Sequence, residues 1–361
     1  MFARPGGQAL TTKGEAGMAK MKVVVLGAEN DSLAYERAEM KDLDVEFVQA
    51  KPKSDGEAME IVRDADAVML RGDWGREPII NATTKCQVMA VYSHGFNHID
   101  VESMNDKGII LTNGTGMCAE EVSNQAVTFI LALNRQVVQS TNNMRKGIWD
   151  RASYLPIEAI DEQVLGQVGF GNIGRQVVRK MSGWRMKTLV YDPYIPPWII
   201  KEHNVEQVFD LNELCSRADY VSVVVPLNDE THHMIGEAQF KKMKKSAFYV
   251  NVCRGPVHDE KALIKALQEK WIRGAGLDVF EKEPVDPKNP LLQMENVITA
   301  PHIAGTSTRS AWLSRQRAAQ QVAAVLRGEW PTGAQNPIVA SKIMGRQRSK
   351  GRAPAAAPGL K

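Results

Sequence analysis

An arginine, a glutamate and a histidine in the second half of this 361-residue chain have side chains and surroundings suited to chemistry. Arg254 stands in Asn251-Val252-Cys253-Arg254-Gly255, Glu283 in Leu277-Asp278-Val279-Phe280-Glu281-Lys282-Glu283-Pro284, and His302 in Ala300-Pro301-His302-Ile303-Ala304-Gly305. Each comes within a few residues of an apolar run that reads as a strand. A guanidinium grips a carboxylate through paired, charge-assisted hydrogen bonds. An imidazole exchanges a proton near neutral pH, and a carboxylate beside it stabilises the cation. The three can hold an anionic substrate, polarise one of its oxygens and move a proton there. Singly they read as a surface charge, a turn residue and a loop histidine; their order and context give them weight.

The context includes Gly169-Phe170-Gly171-Asn172-Ile173-Gly174, a glycine fingerprint between a strand run and a helical run. In a dinucleotide site the first glycine makes the tight turn, the second admits the pyrophosphate and the third lets helix and strand pack closely. Asp192, eighteen residues beyond Gly174, ends the next strand run and would accept hydrogen bonds from the adenosine ribose while repelling a 2′-phosphate. No arginine follows it closely, which favours NAD over NADP. With a nicotinamide bound there, Arg254, His302 and Glu283 meet the needs of hydride transfer at a hydroxyl-bearing carbon next to a carboxylate. Lys22–Gly27 is a decoy: Gly27-Ala28-Glu29 lacks the second and third glycines. Gln167 is out of place in a strand expected to be buried on both faces.

The elements that must position these groups alternate between strand and helix. Strand runs are expected at Lys22–Leu26, Val45–Val48, Ala67–Leu70, Val88–Val91 and Ile109–Thr112. A second set follows at Val164–Val168, Thr188–Tyr191, Tyr220–Val225, Ala247–Asn251, Gly274–Leu277 and Val297–Thr299. This alternation predicts an α/β fold with parallel sheets, the second set having the strand count of a dinucleotide-binding sheet. One long helix is expected from about Ala119 to Arg145, and a last helix from Ser307 to Leu326. The expected domains are 21–118 plus 307–339 for substrate and 119–306 for NAD, between a disordered extension (1–20) and a disordered basic tail (340–361).

These motifs, in this order, resemble the D-isomer-specific 2-hydroxyacid dehydrogenases over roughly Met21 to Val339. The residues that carry the likeness are the glycine fingerprint, Asp192-Pro193, Arg254 onward to Asp259-Glu260-Lys261-Ala262-Leu263, Leu277–Pro284 and Pro301-His302. The resemblance implies two Rossmann-like, doubly wound parallel-sheet domains with a cleft between them, the first domain discontinuous, and a homodimer. It implies that Arg254, Glu283 and His302 are the catalytic set, with interconversion of a D-2-hydroxy acid and its 2-oxo acid as the reaction. It places Pro226 and Thr231 along the cofactor groove with Gly169, Gly171, Asn172, Ile173, Gly174 and Asp192. Cys253 would stand beside the nicotinamide as a small buried side chain, and Asp278 just behind it. Ser93-His94-Gly95-Phe96-Asn97 resembles the loop whose backbone N–H groups cradle the substrate carboxylate; Arg71 and Trp74 are further candidates to face the substrate. The chain departs from the family pattern at Asn124, where many members have glutamate, and at His258, where an apolar residue is usual. A second reading, from the corepressor-like relatives, is an NAD(H)-binding sensor with little catalysis. Glu283 speaks against the formate dehydrogenase branch, which resembles glutamine there.

Composition sets the outer bounds. The net charge of +3 comes from the tail: Ser341–Lys361 holds Lys342, Arg346, Arg348, Lys350, Arg352 and Lys361 and no acid. The rest is slightly acidic, which does not suit a nucleic-acid surface. Cys86, Cys118, Cys215 and Cys253 lack metal-ligand spacing and point to a reducing compartment, the cytoplasm. No apolar run suits a membrane span or secretory signal, and no metal is expected. No further regulatory domain is expected after Val339.

Overall fold

Runs of Val, Ile, Leu and Ala bounded by glycine and polar residues become parallel strands, since strands buried on both faces need apolar residues throughout. The computed structural model describes residues 20–342; most of both expected terminal segments lies outside the described residues. The chain divides into two compact units. One holds the described residues through Ala90, Asp100–Thr112 and those from Ala319 on; the other holds Val91–Ile99 and Asn113–Ala318.

The first unit's sheet comprises β1 (Met21–Leu26), β2 (Val45–Ala50), β3 (Ala67–Leu70), β4 (Val88–Val91) and β5 (Ile110–Thr112), in the order β2-β1-β3-β4-β5. Helices α1 (Ala34–Glu39), α2 (Asp55–Val62), α3 (Glu77–Ala82) and α4 (Val101–Lys107) lie between consecutive strands. Ser54 and Asp100 cap α2 and α4 by accepting backbone N–H bonds from Glu57 and Ser103. Asn336, nearly buried, ties the returning chain to β5: Oδ1 accepts from Leu111 N–H at 2.8 Å and Nδ2 donates to the Ile109 carbonyl at 3.0 Å.

The second unit opens with α5 (Ala119–Asn134) and α6 (Val137–Arg145) where one helix is expected. The break needs neither proline nor glycine. Gln136 takes a left-handed φ of 50° and donates through Nε2 to the Tyr154 carbonyl at 2.7 Å. Buried Asn134 donates to the Tyr220 hydroxyl at 3.0 Å, so side-chain bonds to distant loops outweigh helix continuation.

Its sheet is β6 (Val164–Val168), β7 (Lys187–Tyr191), β8 (Glu206–Gln207), β9 (Tyr220–Val223), β10 (Phe248–Asn251), β11 (Gly274–Leu277) and β12 (Val297–Thr299). They run in the order β12-β11-β10-β9-β6-β7-β8. From β6 to β11 this is the doubly wound dinucleotide order, its reversal point lying between β6 and β9. The six strand runs read from the sequence become seven: β8, a two-residue polar edge strand, carries no apolar signal. The intervening helices are α7 (Asn172–Met181), α8 (Pro197–Lys201), α9 (Leu211–Arg217), α10 (Glu237–Lys242) and α11 (Glu260–Gln268), and α12 (Thr308–Leu326) follows β12. One sheet face packs Leu214, Phe240, Leu263 and Leu267; the other packs Ala126, Phe129, Ile130, Val177 and Met181 from α5 and α7. A Cβ on Gly276 would come within 2.7 Å of Phe129 Cβ, so α5 lies directly on β11.

Gln167 is fully buried in β6, and its Nε2 donates to the Val168 and Gly169 carbonyls, both at 3.1 Å. An amide in the middle of the sheet thus holds the carbonyl of the first fingerprint glycine.

Candidate active site

Parallel strands present their carboxyl ends on one edge, and in open α/β sheets ligands bind there. In the second unit that edge carries the glycine turn after β6, Asp192 after β7, Pro226–Thr231 after β9, Arg254 after β10, Asp278 and Glu283 after β11, and His302 after β12.

The turn after β6 fits a dinucleotide. Gly169 has φ +87°, and a Cβ there would meet the Val224 carbonyl oxygen at 2.6 Å. A Cβ on Gly174 would lie 2.1 Å from the Gly169 carbonyl oxygen, so only hydrogen lets α7 approach so closely. Around Gly171 nothing lies within 4 Å of the Cβ position, leaving the open approach that a pyrophosphate needs at a helix N-terminus. Asn172 begins α7, with Oδ1 accepting from Arg175 Nη2 at 3.2 Å, and Ile173 packs toward the α5 cluster. The Asp192 carboxylate stands beside the turn, accepting from Phe170 N–H at 2.7 Å, Tyr194 N–H at 2.9 Å and Ile195 N–H at 3.2 Å. Beyond β9, the Thr231 hydroxyl donates to the Pro226 carbonyl at 2.6 Å and accepts from Asn228 N–H at 2.9 Å, closing a compact loop.

At the tips of β10, β11 and β12 the backbone links the three chemical groups. Asp278 N–H donates to the Asn251 carbonyl at 3.0 Å, and His302 N–H donates to the Asp278 carbonyl at 2.8 Å. A Cβ on Gly255 would lie 1.9 Å from the Phe280 carbonyl, so the arginine turn lies against the stretch leading to Glu283. His302 Nδ1 stands 2.6 Å from Glu283 Oε2, while Glu283 Oε1 accepts from Phe280 N–H at 3.0 Å. One carboxylate oxygen anchors to its own loop and the other orients the imidazole, which leaves Nε2 to work outward. His302 itself has φ 53°, a left-handed conformation uncommon outside glycine. Asp278 braces it: the buried carboxylate accepts from Ile303 N–H at 3.0 Å and Ala304 N–H at 2.9 Å. Burial pushes the Asp278 carboxyl above the ordinary carboxylate range, and those two N–H groups work against the rise.

Arg254 meets the loop after β4, which belongs to this same unit. Its Nε donates to Asn97 Oδ1 at 3.0 Å and its Nη1 to the Cys253 carbonyl at 2.6 Å. A Cβ on Gly95 would sit 1.6 Å from Nη2, so the guanidinium lies directly against the loop at this glycine. Within the loop, the Ser93 hydroxyl donates to the Gly95 carbonyl at 2.7 Å, Ser93 O accepts from Gly114 N–H at 3.0 Å, and Asn113 Nδ2 donates to His94 O at 2.6 Å. Burial, with Arg254 nearby, lowers the His94 pKa. Phe96 belongs to the same loop, its carbonyl accepting from Ile99 N–H at 2.9 Å. Asn97, the last residue of the expected loop, steers Arg254 by accepting its Nε bond; the sequence shows the loop but assigns Asn97 no such role. Burial pushes the Cys253 thiol pKa up, and its Sγ lies 3.1 Å from Asn251 Oδ1. Arg71 and Trp74 lie in the other unit, where Arg71 Nη1 pairs with Asp31 at 2.6 Å and the Arg76 guanidinium lies over the Trp74 ring. Among the described residues no cluster could hold a metal and no helix is long and apolar enough to cross a membrane.

Comparison with known proteins bears on the family and the fold. The family described as D-isomer specific 2-hydroxyacid dehydrogenase, NAD binding domain, matches residues 127–304. A glyoxylate reductase of Korarchaeum cryptofilum is 40% identical over 293 residues, covering 80% of this chain and 88% of that protein. A D-3-phosphoglycerate dehydrogenase of Methanocaldococcus jannaschii is 40% identical over 275 residues, 76% of this chain but only 52% of that longer protein. Among solved structures, the apo D-mandelate dehydrogenase of Rhodotorula graminis aligns with a TM-score of 0.79 at 27% identity, covering 87% of this chain and 97% of that one.

Proposed function

Since this chain belongs to the D-isomer specific 2-hydroxyacid dehydrogenase family, we propose that it reduces a small 2-oxo acid, glyoxylate being the first candidate, with Arg254, His302 and Glu283 as its working groups. It is an NAD-dependent oxidoreductase of two parallel-sheet α/β domains. The observation that carries the residue assignment is the 2.6 Å contact between His302 Nδ1 and Glu283 Oε2.

Gly169, Gly171, Asn172 and Gly174 would hold the pyrophosphate and Asp192 the adenosine ribose, with Pro226, Thr231, Ile173 and Cys253 lining the groove. Bound NADH supplies the hydride that reduces the C2 carbon, and NAD⁺ accepts it in the reverse direction. Arg254 pairs with the substrate carboxylate, and backbone N–H groups of the Gly95–Phe96 loop would share it. His302 Nε2 donates its proton to the C2 oxygen as the alcohol forms, and takes it back in oxidation. Glu283 keeps Nδ1–H pointed inward and stabilises the imidazolium between turnovers. Asp278 acts through the histidine turn, holding it in its left-handed conformation. Glyoxylate is favoured because a reductase of that name is 40% identical over most of the chain.

Turnover of glyoxylate, hydroxypyruvate, pyruvate and phenylglyoxylate with NADH tests this reading. Reduction of at least one at ordinary enzymatic rates supports it. NADH binding without turnover on any of them would favour a sensor instead.

A homodimer is proposed as well. Val137, Val138, Met144, Ile148, Trp149 and Leu155 are exposed on and just after α6, Trp149 at 84%, an apolar concentration that a second copy would cover. Light scattering on Trp149→Glu should show a shift toward monomer; a wild-type mass that is already monomeric refutes the proposal. The four unpaired thiols suit a cytoplasmic setting.

A further inference from the structure

Beyond the arginine turn lies a histidine that the reaction does not touch. His258 is fully buried, and its Nδ1 stands 2.9 Å from Asn251 Nδ2. Burial, with His233 nearby, pushes its pKa down to about 3, so the ring is neutral at working pH. Facing an amide that can only donate, Nδ1 must be the acceptor and Nε2 must carry the hydrogen.

Asn251 is also fully buried, and its amide is used on every side. Nδ2 donates to His258 Nδ1 and, at 2.9 Å, to the Arg254 carbonyl; Oδ1 accepts from Cys253 N–H at 2.9 Å and lies 3.1 Å from Cys253 Sγ. One side chain therefore clasps the backbone on both sides of the Cys253–Arg254 peptide. The far end of the segment is fixed too: His258 N–H donates to the Gly255 carbonyl at 3.0 Å, and Asp259 caps α11 by accepting from Ala262 N–H at 3.0 Å. Within this frame His258 supplies the acceptor for the outer hydrogen of Asn251.

Such an arrangement has a cost. His258 Nε2 finds no partner among the described residues, a loss that an apolar side chain would avoid. A polar ring kept there despite an orphaned N–H marks the bond made by Nδ1 as its purpose.

We propose that His258 is a positioning residue for Arg254, setting the Asn251–Arg254 turn through the Asn251 amide so that the guanidinium meets the substrate carboxylate. This rests on the reading of Arg254 as the carboxylate-binding group. His258 touches neither substrate nor cofactor; its effect should appear in substrate affinity and not in NADH binding.

Two variants of the full chain separate geometry from bulk. His258→Leu removes the acceptor at similar volume, while His258→Asn restores one near the Nδ1 position. With glyoxylate and NADH, the leucine variant should raise KM about tenfold with kcat within about twofold, since it weakens ground-state and transition-state binding alike. The asparagine variant should recover most of that loss, and NADH affinity, read by fluorescence quenching, should be unchanged in both. A wild-type KM in His258→Leu overturns the proposal, as does equal impairment of the two variants. Arg254→Gln measured beside them separates the two readings. A large KM effect there with none in His258→Leu overturns this inference alone, whereas no effect in either overturns the assignment of Arg254 with it. Nitrogen NMR of the wild-type ring is independent of whether variants fold: at neutral pH Nδ1 should be unprotonated and Nε2 protonated, and the opposite tautomer refutes the proposal.

Discussion

A single methyl group at Gly95 offers a sharp test of how Arg254 is aimed. Built on the existing backbone, the Cβ would stand 1.6 Å from Arg254 Nη2 and 2.7 Å from Cζ, where ordinary contact begins at 3.4 Å. The backbone need not resist, because Gly95 is not among the residues with positive φ. The flexible guanidinium gives way instead, retreating by about 2 Å, enough to break hydrogen bonds whose useful range is only a few tenths of an ångström. Its bonds to Asn97 and the Cys253 carbonyl, at 3.0 and 2.6 Å, go with it. A hydrogen bond to a charged group contributes about 1.5–3 kcal/mol, so the KM for glyoxylate should rise about 10- to 150-fold. Stability should fall modestly, the two lost bonds being offset only in part by the gain of up to about 1 kcal/mol that Gly→Ala brings by restricting the unfolded chain. Steady-state NADH oxidation, a thermal melt and an NADH titration on Gly95→Ala suffice. A wild-type KM, or an NADH affinity that falls in step with substrate affinity, would refute the reasoning.

Gly174→Ala should fail differently. Its Cβ would lie 2.1 Å from a backbone carbonyl and not from a mobile side chain, so NADH affinity should fall more than about tenfold; unchanged quenching titrations would contradict the close-packing role. His258 makes acid stability a second readout. With its pKa held at about 3 in the fold against an ordinary 6.5, the unfolded chain takes up a proton first as pH falls, so stability is present above 6.5 and lost between there and 3. Between pH 7 and 5 wild type should lose about 2 kcal/mol more than His258→Leu in urea unfolding; equal losses would show that the buried ring titrates normally.

How much of this was legible in the sequence depends on how local each signal is. Strand positions follow from uninterrupted apolar runs, and eleven of the twelve strands among the described residues lie within a residue or two of those runs. The exception, Glu206–Gln207, is a polar edge strand that pairs with β7 through backbone bonds and a Lys187–Glu206 ion pair at 2.9 Å, with no apolar run to announce it. The division of the expected 119–145 helix escaped because its cause is not a breaker residue but side-chain bonds of Asn134 and Gln136 to loops 18 or more residues away. Gln167 looked wrong for a buried strand until its amide was seen to hold the carbonyls of the glycine turn. Arg254, Glu283 and His302 stand out in the sequence because each sits in a short motif of its own. The role of Asn97 within its loop does not show, because it is a bond to a residue 157 positions later. The left-handed backbone of His302 and the bracing carboxylate of Asp278 likewise exist only once three neighbouring strands end together.

The most direct test is turnover by His302→Asn and Glu283→Gln, measured with NADH and whichever 2-oxo acid the wild type reduces best. Removing the proton donor should lower kcat by about 100- to 10,000-fold while KM and NADH affinity stay within a few fold. The glutamine variant keeps the shape but not the charge, and should fall between that and wild type. Near-normal turnover by His302→Asn would show that the imidazole 2.6 Å from Glu283 is not the group that exchanges the proton.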